Sequence, residues 1–361
     1  MSRVQRNSIN ILKVIAAFMV FMLHSTIFEP DLLILLASNK FAFIFVPSAW
    51  AGVWIFFIVG GYLAGKGFSL GRYQLSKEGI KKYYIQRLKK VVIPTMLFII
   101  ICVLLIYPDF VIYTPNILLK YILFSYNGTP GVDGIGATWY VSQLIFFYLI
   151  SPGLAFLAHK FLKGKKLMVG IFIGIMVILG FLYRLFGYYI DLDWYTNIYT
   201  PWYGNIDLFV SGFLLAYIDR KSESRVVNMF SVLLLFIIIF VNCFFYRRML
   251  FGDSQATIYN LYFFQSIYLI GTLFYLYSFS NADMKMDQEN NNIFLRIINK
   301  FSTISFEFYL LHSLVLHLWA SFIQTYIDVT TILGHIEYMF IIAIIAIFLS
   351  ILLKQLFEIL M

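Results

Sequence analysis

The sequence predicts an all-α fold, a polytopic membrane helix bundle of about ten transmembrane helices, as one domain over residues 1–361. Three observations predict it. Apolar residues make up 61% of the chain and charged residues 12%, where a soluble domain averages roughly 25% charged. Mean hydropathy is +0.84. The apolar stretches run unbroken for about 20 residues, the length a helix needs to cross hydrocarbon, whereas a membrane barrel would alternate apolar and polar residues over short segments.

The first span, 9–28, follows Arg3 and Arg6 and contains Lys13 and His24. Its charge order is that of a signal peptide, but no small-residue cleavage site follows His24, so it reads as a retained helix. The run Leu32–Val46 is short and holds Asn39 and Lys40, so it is not counted as a span. The second span, 48–65, carries the adjacent Gly60 and Gly61. The third, 91–107, follows the basic stretch Arg87-Leu88-Lys89-Lys90. Tyr107–Gly136 is a Pro- and Gly-containing loop in which Pro115–Tyr126 suits a short interfacial helix, too short to span. Spans at 137–158, 167–187, 202–219, 226–246 and 257–279 follow. The polar stretch Ser280–Lys300, with Asp287, Glu289 and three consecutive Asn, reads as a flexible cytoplasmic linker. Spans at 301–322 and 338–358 complete the chain.

Ten spans with a cytoplasmic N-terminus put all of the 27 Lys and Arg on the inner side except Lys40, Lys120, Arg184, Arg247 and Arg248. That bias predicts both termini cytoplasmic, and it accounts for the net charge of +9 without nucleic acid. Cys102 and Cys243 fall inside spans, so neither a structural disulfide nor a metal site is expected.

Chemistry is sought first among ionisable groups inside spans, because a central Lys there costs about 2.5–3.5 kcal/mol even on the lenient insertion scale. Lys13 and His24 are eleven residues apart, so both lie on one helix face, about 16 Å apart along the axis. His312 and His317 share the ninth span but point about 140° apart, and His312 suits either helix packing or a site. His159 and His335 read as solvated loop residues. Arg87 and Lys90 share a helix face at the inner mouth of the third span, where they suit ligand phosphates or serve only as positive-inside anchors. Gly60 and Gly61 suit close helix packing or a loosened wall around a cavity. Asp191, Asp193, Trp194, Tyr195, Tyr199, Trp202 and Tyr203 gather at the outer side. Such a group suits a sugar ligand and equally an interfacial aromatic belt.

These stretches resemble, in order, the acyltransferase-3 family of bacterial integral membrane acyltransferases, which O-acetylate surface polysaccharides and related glycans. The family's acidic residue, basic residue and histidine of the first helix fall on Asn10, Lys13 and His24. Its Phe-Phe-x-x-Ser-Gly-Tyr signature resembles Phe56 to Tyr62, with Gly60 in place of Ser. Its Arg-x-x-Arg ahead of proline resembles Arg87, Lys90 and Pro94, and its Trp-Tyr…Tyr…Pro stretch resembles Trp139, Tyr140, Tyr148 and Pro152. Its Tyr-Leu-x-His resembles Tyr309 to His312. Asn10, Lys13, Gly60 and Lys90 are departures, which mark a divergent member, expected to lack the outer hydrolase-like domain that many members append.

The resemblance implies transfer of an acyl group, most simply acetyl, from cytoplasmic acetyl-CoA as co-substrate to a hydroxyl of a surface or lipid-linked glycan. It implies His24 and Lys13 as catalytic residues, Arg87 and Lys90 as donor-binding residues, and Glu307, Tyr309, His312 and Trp139 as substrate-binding residues. No metal is implied. The implied partners are the acyl-CoA, the saccharide acceptor, the lipid bilayer and other polysaccharide-synthesis proteins, in the bacterial cytoplasmic membrane. Two other functions stay open on the residues: a transporter or flippase for a glycan precursor, against which no internal repeat is visible, and a non-catalytic membrane component of a polysaccharide-synthesis machine or sensor.

Overall fold

The computed structural model describes residues 1–27, 39, 48–106, 115–124, 136–218, 224–280, 292–329 and 331–360. The run Leu32–Val46 apart from Asn39, and parts of the outer loop and of the linker, lie outside these residues. Among the described residues the fold is helical with no strand. The helices are α1 (Arg3–Ile27), α2 (Ala49–Ser69), α3 (Lys77–Arg87), α4 (Ile93–Ile106), α5 (Pro115–Ile122), α6 (Trp139–Phe161) and α7 (Lys166–Tyr189), then α8 (Trp202–Leu215), α9 (Arg225–Leu250), α10 (Ser254–Ile258), α11 (Phe264–Ser278), α12 (Ile293–Ser302), α13 (Ser305–Gln324) and α14 (Ile332–Leu360).

Eight helical stretches among the described residues are long and apolar enough to cross a membrane. The two expected spans that fall short are 202–219 and 257–279. Helix α8 starts at Trp202, directly after Pro201, but ends at Leu215, so it is only 14 residues long, about 21 Å. It is buried among α2, α6 and α7, so Asn205, Asp207 and Ser211 are fully buried within protein rather than facing lipid. In the second, a π-helical turn at Tyr259–Phe263 separates α10 from the 15-residue α11.

Helix α2 is the centre of the bundle, and its backbone packs directly on α8. A Cβ at Gly61 would lie 2.0 Å from the Phe209 carbonyl oxygen, and one at Gly212 would lie 2.2 Å from that of Ile58. Only glycine lets two helix backbones approach this closely. By contrast α7 buries only Val169, Arg184 and Gly187 along its 24 residues. Its exposed Ile171, Ile175, Ile178 and Leu182 form the kind of apolar face that suits lipid.

Two stretches differ from the sequence expectation. The polar linker ends early, because Asn292 accepts a hydrogen bond from the Phe294 amide and caps α12. The apolar residues Ile293, Phe294, Ile297, Ile298 and Phe301 recur at helical spacing. His335, expected in a solvated loop, lies in the first turn of α14 and is fully buried. No proline or glycine pair breaks the stretch, and the Thr331 carbonyl accepts from the His335 amide at 2.9 Å to start the helix. Pro115–Ile122 is the short helix expected in the outer loop.

Candidate active site

Helices α3 and α4 are one continuous rod joined by a π-helical turn, Leu88–Val92. Pro94 supplies the cause: it has no amide to donate back along the helix, so the hydrogen-bond ladder must shift in the preceding turn. The wider turn presents Lys89, Lys90 and Val91 to a cavity of about 560 Å³. Helix α1 contributes Lys13, α2 contributes Phe56, Val59, Gly60 and Leu63, and α6 contributes Tyr140, Leu144 and Tyr148. Ser302 and Thr303 come from the α12–α13 joint, Glu307 and Tyr309 from α13, and Lys354, Phe357 and Glu358 from α14.

Of the residues given a catalytic or binding role from sequence, the cavity brings together Lys13, Lys90, Glu307 and Tyr309. The Lys13 ammonium donates to the Ser302 carbonyl at 2.8 Å and to its hydroxyl oxygen at 3.1 Å. The Ser302 hydroxyl donates to Asn10 Oδ1 at 2.8 Å, Asn10 donates to Asn299 at 2.8 Å, and Asn299 donates to Asn7 at 3.0 Å. Asn10, at the family's acidic position, thus ties α1 to α12 as a neutral acceptor, and Lys13 has no carboxylate in contact among the described residues. The nearest acid in sequence on this wall is Glu307, whose Oε2 is buried with no hydrogen-bond partner among the described residues. At the adjacent glycines the two readings separate. A Cβ at Gly60 would meet Leu144 at an ordinary 3.4 Å, beside the cavity, whereas Gly61 is committed to the α8 backbone.

Three rings of the cavity wall pack on one another. Phe56, Tyr140 and Tyr309 have centroid separations of 6.0, 5.8 and 5.3 Å pairwise, and the Tyr309 hydroxyl donates to the Ala137 carbonyl at 2.7 Å. One turn beyond Tyr309 lies His312, 1% exposed. Its ring is nearly coplanar with that of His24, at an interplanar angle of 3°, and Nε2 of His312 is 2.7 Å from Nδ1 of His24. Nδ1 of His312 is 2.5 Å from the Tyr309 carbonyl oxygen. A carbonyl only accepts, so Nδ1 of His312 carries the proton. In the neutral pair Nε2 of His312 is then the acceptor and Nδ1 of His24 the donor. That leaves Nε2 of His24 as an unprotonated base, with its tautomer set by a neighbour 288 residues away.

Arg87 and Trp139 are not in the cavity wall. The Arg87 guanidinium lies over the rings of Tyr83 and Tyr148, 5.0 and 4.5 Å from their centroids, so it backs Tyr148, which does line the cavity. Trp139 packs against Tyr199 at 4.7 Å, in a buried group with Trp50 and Trp194. The outer aromatic cluster is thus largely packed on itself. Asp193 accepts from the Thr196 hydroxyl and amide at 2.6 and 2.8 Å. These bonds hold its carboxyl below the usual range and turn the chain into the π-helical stretch Tyr195–Tyr199.

Sequence reasoning passed over Lys89, Ser302, Lys354 and Glu358. Lys354 carries a signal of its own, a single cation within a long apolar run.

No curated protein and no solved structure matches the chain. The family model described as an acyltransferase domain matches residues 6–355, which include both paired histidines and all of the cavity lining except Phe357 and Glu358. The chain is a multi-pass membrane protein of the acyltransferase-3 family.

Proposed function

We propose that this protein moves an acyl group, most simply acetyl, from acyl-CoA to a hydroxyl of a surface or lipid-linked glycan, in a bacterial cytoplasmic membrane with its cation-rich end inside. The observation that carries the reading is the order of the site: one cavity is lined by four lysines and by the rings of Phe56, Tyr140 and Tyr309, and His312, one turn beyond Tyr309, pairs with His24 so that Nε2 of His24 is left unprotonated. The donor enters with its phosphates among the lysines and its thioester toward the rings. The acceptor comes from the opposite end, where His24 keeps part of its surface accessible. The acceptor hydroxyl attacks the thioester carbonyl carbon while Nε2 of His24 takes its proton. The carbon–sulfur bond breaks, and the departing thiolate receives that proton to leave as free CoA. Lys13 sits about 16 Å down α1 from His24, so its charge serves the donor's phosphate and pantetheine portion rather than the reacting carbonyl. Both the acyl donor and the glycan acceptor follow the family resemblance.

The test is acceptor-dependent release of free CoA by the purified protein in nanodiscs supplied with acetyl-CoA and a glycan acceptor. His24→Ala should lower kcat by about 10²- to 10⁴-fold, the range for a lost general base. A His24→Ala protein that transfers acetyl at the full rate overturns the role given to this residue. Mass spectrometry of surface glycans from cells with and without the gene reads out acyl group and acceptor together.

A further inference from the structure

We propose that Lys354 of the last helix is a further donor-binding residue that reads the phosphates of a nucleotide-bearing thioester; this rests on the reading of the cavity as an acyl-CoA site. Lys354 approaches the cavity from α14, facing Lys13 on α1 and Lys89 and Lys90 on the π-helical turn. Four ammonium groups thus line one cavity against two carboxylates, Glu307 and Glu358, an excess that favours an anionic ligand.

Its own contacts leave Lys354 able to serve one. Its ammonium donates to the Thr303 carbonyl at 3.2 Å, which holds the side chain at the mouth. Glu358 is 3.9 Å away and its side chain is 66% exposed, so this i,i+4 pair is a weak one. An ammonium has three donors, and one carbonyl at this distance does not exhaust them.

The rest of the wall selects the ligand's shape. Beside the cations the same wall carries Phe56, Val59, Leu144 and the ring of Tyr309, an apolar surface next to a charged one. A CoA thioester has that polarity, with phosphates at one end and a narrow arm carrying the thioester at the other. An acyl group on a carrier without a nucleotide would leave the lysines unused. Lysines act as separate point charges without the bidentate fork of Arg, which suits phosphates spread over pyrophosphate and ribose.

The experiment uses full-length protein in nanodiscs with two donors, acetyl-CoA and acetyl-pantetheine, and compares wild type, Lys354→Gln and Lys354→Met. Both substitutions should raise KM for acetyl-CoA about fivefold to tenfold, as for loss of one partly exposed charged contact. They should leave kcat within about twofold, the signature of binding shared by ground and transition states, and leave KM for acetyl-pantetheine unchanged. Equal losses with both donors would mean that Lys354 only braces the α12–α13 joint through Thr303, and would overturn the proposal. So would wild-type protein that uses acetyl-pantetheine as well as acetyl-CoA, a comparison that needs no variant to fold; transfer itself would stand. Wild-type protein that turns over neither thioester would overturn the acyltransfer reading and this proposal with it.

Discussion

Replacing His312 by alanine separates the two histidines' duties by magnitude. In the native arrangement His312 donates to Tyr309 at 2.5 Å and accepts from His24 at 2.7 Å, so its work on the reaction passes through His24. Losing it removes the bond that fixes the His24 tautomer. One such bond is worth about 0.5–1.5 kcal/mol net, so catalysis should fall about threefold to tenfold, with some further loss as the freed His24 ring reorients. Losing His24 removes the base itself, about 10²- to 10⁴-fold. Because both act on one proton, the double variant should be no slower than His24→Ala alone. The assay is acceptor-dependent thiol release, with KM for acetyl-CoA expected to hold within about twofold, since neither ring lines the lysine cavity. A parallel thermal melt accounts for the void left at a fully buried ring, about 1–3 kcal/mol. Two results refute the reasoning: a His312→Ala loss as large as that of His24→Ala, which would make His312 the base, or losses that multiply in the double variant, which would mean the rings act independently.

The other predictions concern packing and charge. Gly61→Ala drives a Cβ into the Phe209 carbonyl and should cost about 1–3 kcal/mol of stability or more, while Gly60→Ser, next to the cavity, should melt within about 1 kcal/mol of wild type; equal melting shifts would contradict the close α2–α8 crossing. Arg184 and Asp207 form an ion pair at 3.0 Å with side chains 0% and 2% exposed, braced by the Ser266 hydroxyl at 2.6 Å. Asp207→Ala should cost about 3–5 kcal/mol by stranding the guanidinium, and Arg184→Met with Asp207→Leu should recover most of it, both read as detergent melting shifts. Asp253 caps α10 by accepting from the Ala256 amide at 2.9 Å and pairs with Arg248, which together hold its carboxyl below the ordinary range. Its folded pKa is depressed, so its contribution to stability is present above the unfolded value, about 3.9, and is lost as pH falls through the folded one. The melting difference between wild type and Asp253→Ala should therefore be constant at neutral pH and shrink only below about 4; a difference that persists at lower pH refutes the cap's charge dependence.

The helices were legible because each needs only neighbouring residues: an unbroken apolar run specifies a span wherever the rest of the chain goes. The misjudged stretches are those where protein replaces lipid as the surroundings. Helix α8 is short and carries Asp207 because it is enclosed by other helices, and hydropathy reports the expected solvent, not the actual neighbour. His335 was misread for a related reason, since a polar residue near a span end looks solvated until its burial in the bundle is seen.

The same distinction divides the candidate site. Lys13 and His24 could be paired from sequence because one helix acts as a ruler between them, with Lys13 in the lysine cavity and His24 at the paired histidines. What no local rule supplies is the closure around the ruler. Lys354 lines the same cavity as Lys13 and Lys90 from the last helix, and the tautomer of His24 depends on a hydrogen bond to His312, 288 residues away. A spacing within one helix can therefore nominate the residues, but whether His24 is a base or merely a packed imidazole follows only from which ring nitrogen its distant partner leaves free.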